Sequence, residues 1–307
     1  MASIGYHYTF IRYQSQTLAC QALPSVYNMQ ASPVHPSRSA ISYMLSAIYL
    51  SPHLDDAALS CGGQMAQLVR DGNCVRVVTV FAGDAPEEAA HTPFVQELGA
   101  RWGLGENPTA ARRAEDIAAC KVLGARFTHL PFPDCIYRLG RMGAPLYPTR
   151  DAIFGDIAPV EMGLIERITV SLANLQLAAR QTEISNPQSP ITIYLPLTAG
   201  HHVNHQIVRA AGERWAGRRR IAYYEDYPYA ESPDQVRAAW GKKTFRAKLV
   251  QLDEPALTAK VAAIACYRSQ LSTFFADEAE MAARVRAYAE AAGSGRPAER
   301  LWRKEEA

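Results

Sequence analysis

The chain has no apolar run long enough to cross a bilayer. The longest, such as Ala47 to Leu50 or Val77 to Ala82 with Thr79 inside it, fall far short of the roughly 20 residues a spanning helix needs, which excludes a membrane span. It also has no excess of charge of one sign. The 32 Lys and Arg against 30 Asp and Glu leave a net +2, too little for a basic field that would draw a nucleic-acid backbone, so nucleic acid is excluded as a main partner. Cysteines are few and scattered: Cys20, Cys61, Cys74, Cys120, Cys135 and Cys266 form no C-x-x-C pair and lack the density of a disulfide scaffold, so they read as reduced, mostly buried thiols. The first 43 residues show none of the charged, apolar and cleavage-site order of a secretory signal, and the expected compartment is the cytoplasm. There is no internal repeat.

What is present is an ordinary globular composition: 307 residues, 48% hydrophobic and 20% charged, enough to bury a sizeable core. Residues 1–43 stand apart, with little periodicity, small-polar and proline punctuation from Ala31 to Ser39, and only Arg12 and Arg38 charged. They read as a disordered extension, or as sequence upstream of a functional start at Met44. Residues 44–307 read as a single domain whose C-terminal part, from about 230, is mostly helical with a basic, polar tail. A homo-oligomer is left open.

From residue 44, short apolar runs alternate with longer helical stretches, the pattern of an α/β fold with a mostly parallel sheet between two helical layers. The expected strands are Leu45 to Leu50, Val75 to Phe81, Arg126 to Leu130, Ile191 to Leu195 and Ile221 to Tyr224, each suited to burial on both faces. Between them, Ala110 to Leu123 reads as a helix, as does 160 to 180, where Leu164, Ile168, Leu172 and Leu175 share a face. Gly and Pro clusters at 99–108 and 140–148 mark long loops of the kind that form lids or substrate walls.

Two clusters carry chemistry. Ser51-Pro52-His53-Leu54-Asp55-Asp56 directly follows the first strand, where an open parallel sheet presents its ligand-binding ends. An imidazole and one carboxylate suit a borderline metal such as zinc, and the second carboxylate is left as a base. The same aspartates would also serve as the cap and first turn of a helix, and both readings stand on the residues alone. Gly200-His201-His202-Val203-Asn204-His205 follows a later strand and holds three of the eight histidines. It leads into a helix with Val203, Ile207, Val208, Ala211 and Trp215 inward. His202 and His205 lie one helical turn apart, and His201 and His205 form a competing pair. Asp134, in Pro131-Phe132-Pro133-Asp134, reads as a ligand for substrate hydroxyls or as an Asx turn. Tyr223 to Tyr229 reads as a sugar-stacking wall or as core rim. Gly62 and Gly63 read as a close approach of the first helix to the sheet, not as a dinucleotide loop.

The ordered set P-H-L-D-D with G-G, R-R-A-E-D before L-G, and G-H-H-V-N-H resembles the zinc-dependent N-acetylglucosaminyl deacetylases of the PIG-L, or LmbE-like, family over 44 to about 225. The resemblance implies a Rossmann-like three-layer α/β/α fold. It makes His53, Asp56 and His205 the zinc ligands, with iron(II) able to take the same donors. Asp55 becomes the general base for the attacking water, and His202 the protonated group that stabilises the oxyanion and donates to the leaving amine. Arg112 and Glu115 match the family's R-x-x-E and, with Asp134 and Asn204, are assigned to substrate. The implied substrate is a small N-acetylated amino sugar or its conjugate. Other readings are a zinc amidase acting on a non-sugar or thiol conjugate, and a sugar-binding module without catalysis. Leu54 and Ala57 replace the usual proline and glutamate, and Asn204 stands where aspartate is frequent. Asn204 is therefore expected to orient His202 without adding negative charge, lowering its pKa.

Overall fold

The computed structural model describes residues 47–103, 107–182 and 191–305, with side chains of the fifth helix described to Leu175. All belong to the unit Ser42–Ala307, and the extension read at 1–43 lies outside the described residues. Among the described residues no helix is long and apolar enough to cross a membrane.

The chain runs β1 (Ala47–Ser51), α1 (Asp56–Arg70), β2 (Val75–Thr79), α2 (Pro93–Trp102), α3 (Pro108–Leu123), β3 (Arg126–His129), α4 (Arg150–Ile153) and α5 (Met162–Thr182). It continues through β4 (Thr192–Pro196), α6 (Val203–Ala216), β5 (Arg220–Tyr224), α7 (Pro233–Trp240), β6 (Phe245–Gln251), α8 (Glu254–Ile264), α9 (Arg268–Phe274), α10 (Glu278–Ala292) and β7 (Ala298–Lys304). The seven strands form one sheet in the order β3-β2-β1-β4-β5-β7-β6. β1 to β5 are mutually parallel; β7 runs antiparallel to both β5 and β6.

All five expected strands form, with ends shifted by one or two residues. β1, β2, β4 and β5 are largely buried because alternate residues supply two separate cores, whereas β3, at the sheet edge, is exposed at Arg126 and Phe127 and is not buried on both faces as expected. Leu50, Val78, Ile193 and Leu195 pack with Ile168, Leu172, Ile207 and Val208 of α5 and α6. Tyr49, Val77 and Tyr194 face the other way, onto Cys61 and Met65 of α1, Ala119 of α3 and Ala263 of α8. Tyr49 and Tyr194, paired across β1 and β4, stack at 4.2 Å.

Local signals set the helix ends. Asn107 accepts the Ala110 N–H at 2.9 Å ahead of Pro108, and Gly124 closes α3 at φ +69°, a left-handed conformation that favours glycine. The loop read at 99–108 is shorter than expected, since α2 extends to Trp102.

The region after 230 is mostly helical, as α7 to α10, and adds β6 and β7, an antiparallel pair that extends the sheet. One further expectation needs correction. The diglycine admits α8 and the far edge of the sheet rather than the sheet centre. A Cβ on Gly62 would lie 3.1 Å from the Lys260 side chain, and one on Gly63 would lie 2.5 Å from Leu252.

Candidate active site

The strand order reverses between β1 and β4, and an open parallel sheet leaves a crevice at the carboxyl ends of such a pair. Both sequence motifs arrive there. After β1, Ser51 Oγ donates to the His53 carbonyl at 2.7 Å and accepts the Ala57 N–H at 3.1 Å, tying down the first turn of α1. Asp55 occupies the cap position without a side-chain cap hydrogen bond, so the cap reading does not describe it. Asp56 accepts the His53 N–H at 2.7 Å. Both carboxylates are buried, at 5% and 6% exposure.

After β4 the chain turns through three residues with positive φ: Thr198, Gly200 and His201. Gly200 is required twice over, by its φ of +87° and because a Cβ there would meet the Tyr229 ring at 2.7 Å. His202 then caps α6, its Nδ1 accepting the Asn204 N–H at 3.2 Å. That bond leaves the ring proton of neutral His202 on Nε2.

His53, Asp56 and His205 converge. Nδ1 of His53 lies 3.0 Å from Asp56 Oδ2, and Nε2 of His205 lies 3.4 Å from the same oxygen. The other ring nitrogen of His205 faces Asp226 Oδ1 at 2.7 Å, and Asp226 is anchored by the Ala199 N–H at 2.9 Å. Candidate donor atoms of His53, Asp55 and Asp56, and those of His53, His202 and His205, lie within 4.8 Å of one another. One carboxylate and two imidazoles, one of them braced by a further carboxylate, form a donor set that fits a divalent cation.

The electrostatics separate the two aspartates. Burial and then the Asp56 charge push Asp55 up to about 6, against the pull of Arg112, whose Nη2 is 3.6 Å away. Burial alone would raise Asp56, but His205 and His53 outweigh it and hold its carboxyl well below the usual range. Burial opposes charge on His205 too, yet Asp56 and Asp226 raise it to about 9. His202 is driven well below its ordinary value by burial and by the neighbouring His53 and His205. The direction favours a neutral ring and is the one expected, but burial and the two imidazoles, not the uncharged Asn204, supply it.

Asn204 also differs from its expected role. It is fully buried, and its side chain serves His53, not His202 or substrate: Nδ2 lies 2.8 Å from His53 Nε2 and donates to Asp134 Oδ1 at 2.9 Å, while Oδ1 accepts from Arg138 at 2.7 Å. Asp134 faces the crevice, and Arg112 lies over the Trp102 ring at 5.1 Å. Glu115 is not brought to the site; its carboxylate takes the N–H and hydroxyl of Ser269 at 2.9 and 2.6 Å. His201 is turned to Asp156 at 3.2 Å, so the competing His201–His205 pair does not form.

These groups line a cavity of about 580 Å³ that includes His53, Asp55, Asp56, Arg112, Asp134 and His202. Of the tyrosine stretch only Tyr229 reaches it. Tyr223 and Tyr224 are buried and spend their hydroxyls on Glu213 and the Leu50 carbonyl at 2.8 Å each, and Tyr227 is buried beside Phe275. Sequence reading assigned no role to Asp226 or Arg138. Asp226 had one signal, a carboxylate two residues past the strand that pairs with β4. Arg138, a lone arginine in a loop, had none.

A mostly parallel α/β sheet thus carries a buried histidine–carboxylate cluster, with a second and differently tuned carboxylate beside it, at its switch point. The family model described as PIG-L, GlcNAc-PI de-N-acetylase, matches residues 48–216, more than half of the chain. The chain belongs to the PIG-L family. It is 28% identical over 247 residues to a 2'-N-acetylparomamine deacetylase of Niallia circulans, covering 76% of this chain and 83% of that one. Among solved structures it resembles the zinc-inhibited form of teicoplanin deacetylase Orf2, with 26% identity, a TM-score of 0.69, and coverage of 85% of this chain and 99% of that one. It also resembles the A40926 pseudoaglycone deacetylase Dbv21, with 29% identity, a TM-score of 0.62, and coverage of 84% and 96%.

Proposed function

We propose that the protein is a zinc-dependent N-deacetylase that hydrolyses the N-acetyl group of an amino sugar carried on a larger conjugate, with iron(II) able to occupy the same donors. The observation that carries this reading is the convergence of His53, Asp56 and His205 beside a second, differently tuned carboxylate, Asp55. Relatives named for 2'-N-acetylparomamine and for teicoplanin support an amino-sugar conjugate as substrate.

His53, Asp56 and His205 would hold the ion, and Asp226 would orient the His205 imidazole. When bound, a divalent cation there makes water acidic near neutral pH and polarises an amide carbonyl. Asp55 takes a proton from the attacking water; a pKa of about 6 leaves it ionised yet basic enough at pH 7. His202 presents its Nε2–H to the carbonyl oxygen as negative charge develops there. Neutral imidazole is a poor acid, so the proton that reaches the leaving nitrogen is the one Asp55 has taken up. Arg112 and Asp134 bind sugar hydroxyls. The described cysteines are free thiols, which suits a cytoplasmic compartment.

Acetate release from N-acetylglucosamine, its glycosides, simple N-acetyl amines and an N-acetyl thiol conjugate tests the reading. Zinc-reconstituted protein should act on the sugars and lose activity with chelator. Full turnover by Asp55→Asn, or action confined to the non-sugar amides, would overturn it.

A further inference from the structure

Much of the cavity wall is not used by the hydrolysis. On α2, Val95 is buried inward, whereas Phe94, Leu98 and Trp102, at i, i+4 and i+8, form one stripe that lines the cavity. They are half-buried, packed from behind against a satellite core that includes Cys135, Ile136 and Tyr137. Phe274 of α9 lines the same cavity. At 1.5 Å per residue the stripe is about 12 Å long, more than one pyranose ring can cover.

Charge around this wall is already matched. Arg101 pairs with Glu97 at 3.1 Å along α2, and Arg284 pairs with Glu231 at 2.5 Å, all four lining the cavity. The wall therefore offers apolar faces rather than a net charge for a polycation. Arg112 connects it to the reaction centre: one guanidinium lies 3.6 Å from Asp55 and over the Trp102 ring, and its buried Nε has no hydrogen-bond partner among the described residues. A sugar held at the cavity face of this guanidinium lies beside both Asp55 and Trp102, so whatever extends past the sugar runs along the stripe.

We propose that Phe94, Leu98 and Trp102, together with Phe274, form a subsite for a flat, uncharged, apolar aglycone of the amino sugar. This rests on the N-deacetylase reading above and narrows its substrate to glycosides whose aglycone stacks on aromatic side chains.

The test uses the full-length, zinc-reconstituted protein and acetate or acid release from N-acetylglucosamine, its 4-nitrophenyl glycoside and N-hexanoylglucosamine. The aryl glycoside should exceed the free sugar in kcat/KM by about tenfold or more, mainly through KM, as expected for burial of one aromatic ring. Leu98→Ser should bring that ratio close to one. Phe274→Ala, on the neighbouring helix α9, should do the same and serves as the second variant if Leu98→Ser fails to fold. Equal kcat/KM for free sugar and aryl glycoside in the parent overturns the subsite and leaves the deacetylase reading intact. So does a parent preference for the hexanoyl amide that Leu98→Ser abolishes, since the stripe would then hold the acyl chain. Failure to release acetate from either N-acetylated sugar overturns the deacetylase reading itself, and the subsite with it.

Discussion

The side-chain nitrogen of Asn204 lies 2.8 Å from Nε2 of His53, and Arg138 holds it in that orientation by donating to the Asn204 oxygen at 2.7 Å. A guanidinium only donates, so the amide cannot flip. Arg138 is itself fixed by Glu161, Nε to Oε1 at 2.5 Å, over the Phe81 ring. The amide nitrogen also satisfies Asp134 at 2.9 Å, which makes asparagine the suited residue here.

Asn204→Asp would place a carboxylate against that of Asp134 in a buried site. Stability to denaturant should fall by about 1–3 kcal/mol, the cost of a buried polar group facing an unsuitable partner. Asp134→Asn in the same chain should restore part of it. Additive effects in this double-mutant cycle, with no coupling between the two positions, would contradict the contact.

Metal affinity should depend on pH through His205. Without a metal, Asp56 and Asp226 raise its pKa to about 9, so at pH 7 to 8 the ring carries a proton that a cation must displace. Affinity therefore rises with pH by up to about tenfold per unit and levels off above about 9. Calorimetry in buffers of different ionisation enthalpy should show about one proton released per ion at pH 7.5. Asp226→Asn should weaken binding by about 10–100-fold through loss of the brace on the ring.

Activity on the acid side should follow Asp55. A base must be ionised to act, so kcat/KM falls as pH drops through its pKa. Arg112 pulls that pKa down, hence Arg112→Gln should move the acid limb to higher pH, and Arg112→Lys should move it less. A bound cation pulls in the same direction as Arg112, so the sign of the displacement is what the pH–rate profile reads. A limb shifted downward would contradict the assignment. Asp55→Asn should lower kcat by about 10²- to 10⁴-fold.

The parallel strands β1, β2, β4 and β5 and the inward faces of α5 and α6 were legible because each is a largely apolar run or a helical stripe, and β3, a shorter and more polar edge strand, was legible from its place between α3 and the prolines Pro131 and Pro133. β6 and β7 were not. Arg246 and Lys248 keep β6 open to solvent, and Glu299 of β7 is buried against Lys260, a partner that no local pattern announces. At the site, His53, Asp55, Asp56, His202 and His205 were legible because two short motifs supply all five. The partners of Asn204 and Glu115 were not, since a side chain's direction depends on which helix crosses in front of it. Glu115 meets Ser269 on α9, some 150 residues away in sequence.

The Lys260–Glu299 pair locks the C-terminal region onto α1. Glu299 accepts the Gly63 and Gln64 N–H groups at 3.0 and 2.8 Å and the Lys260 ammonium at 2.8 Å, all buried. Lys260→Met alone leaves a buried carboxylate without its cation and should cost about 3–5 kcal/mol in denaturant unfolding. Adding Glu299→Gln should recover a substantial part. A single variant as stable as the parent would show that the pair carries no such weight.

Elemental analysis of protein purified without chelator or metal-affinity resin, beside His205→Ala, tests the central claim that His53, Asp56 and His205 hold one catalytic metal. The expected result is about one zinc or iron per chain in the parent and a large loss in the variant. A parent that stays metal-free after reconstitution, or a variant that retains the full complement, would contradict it.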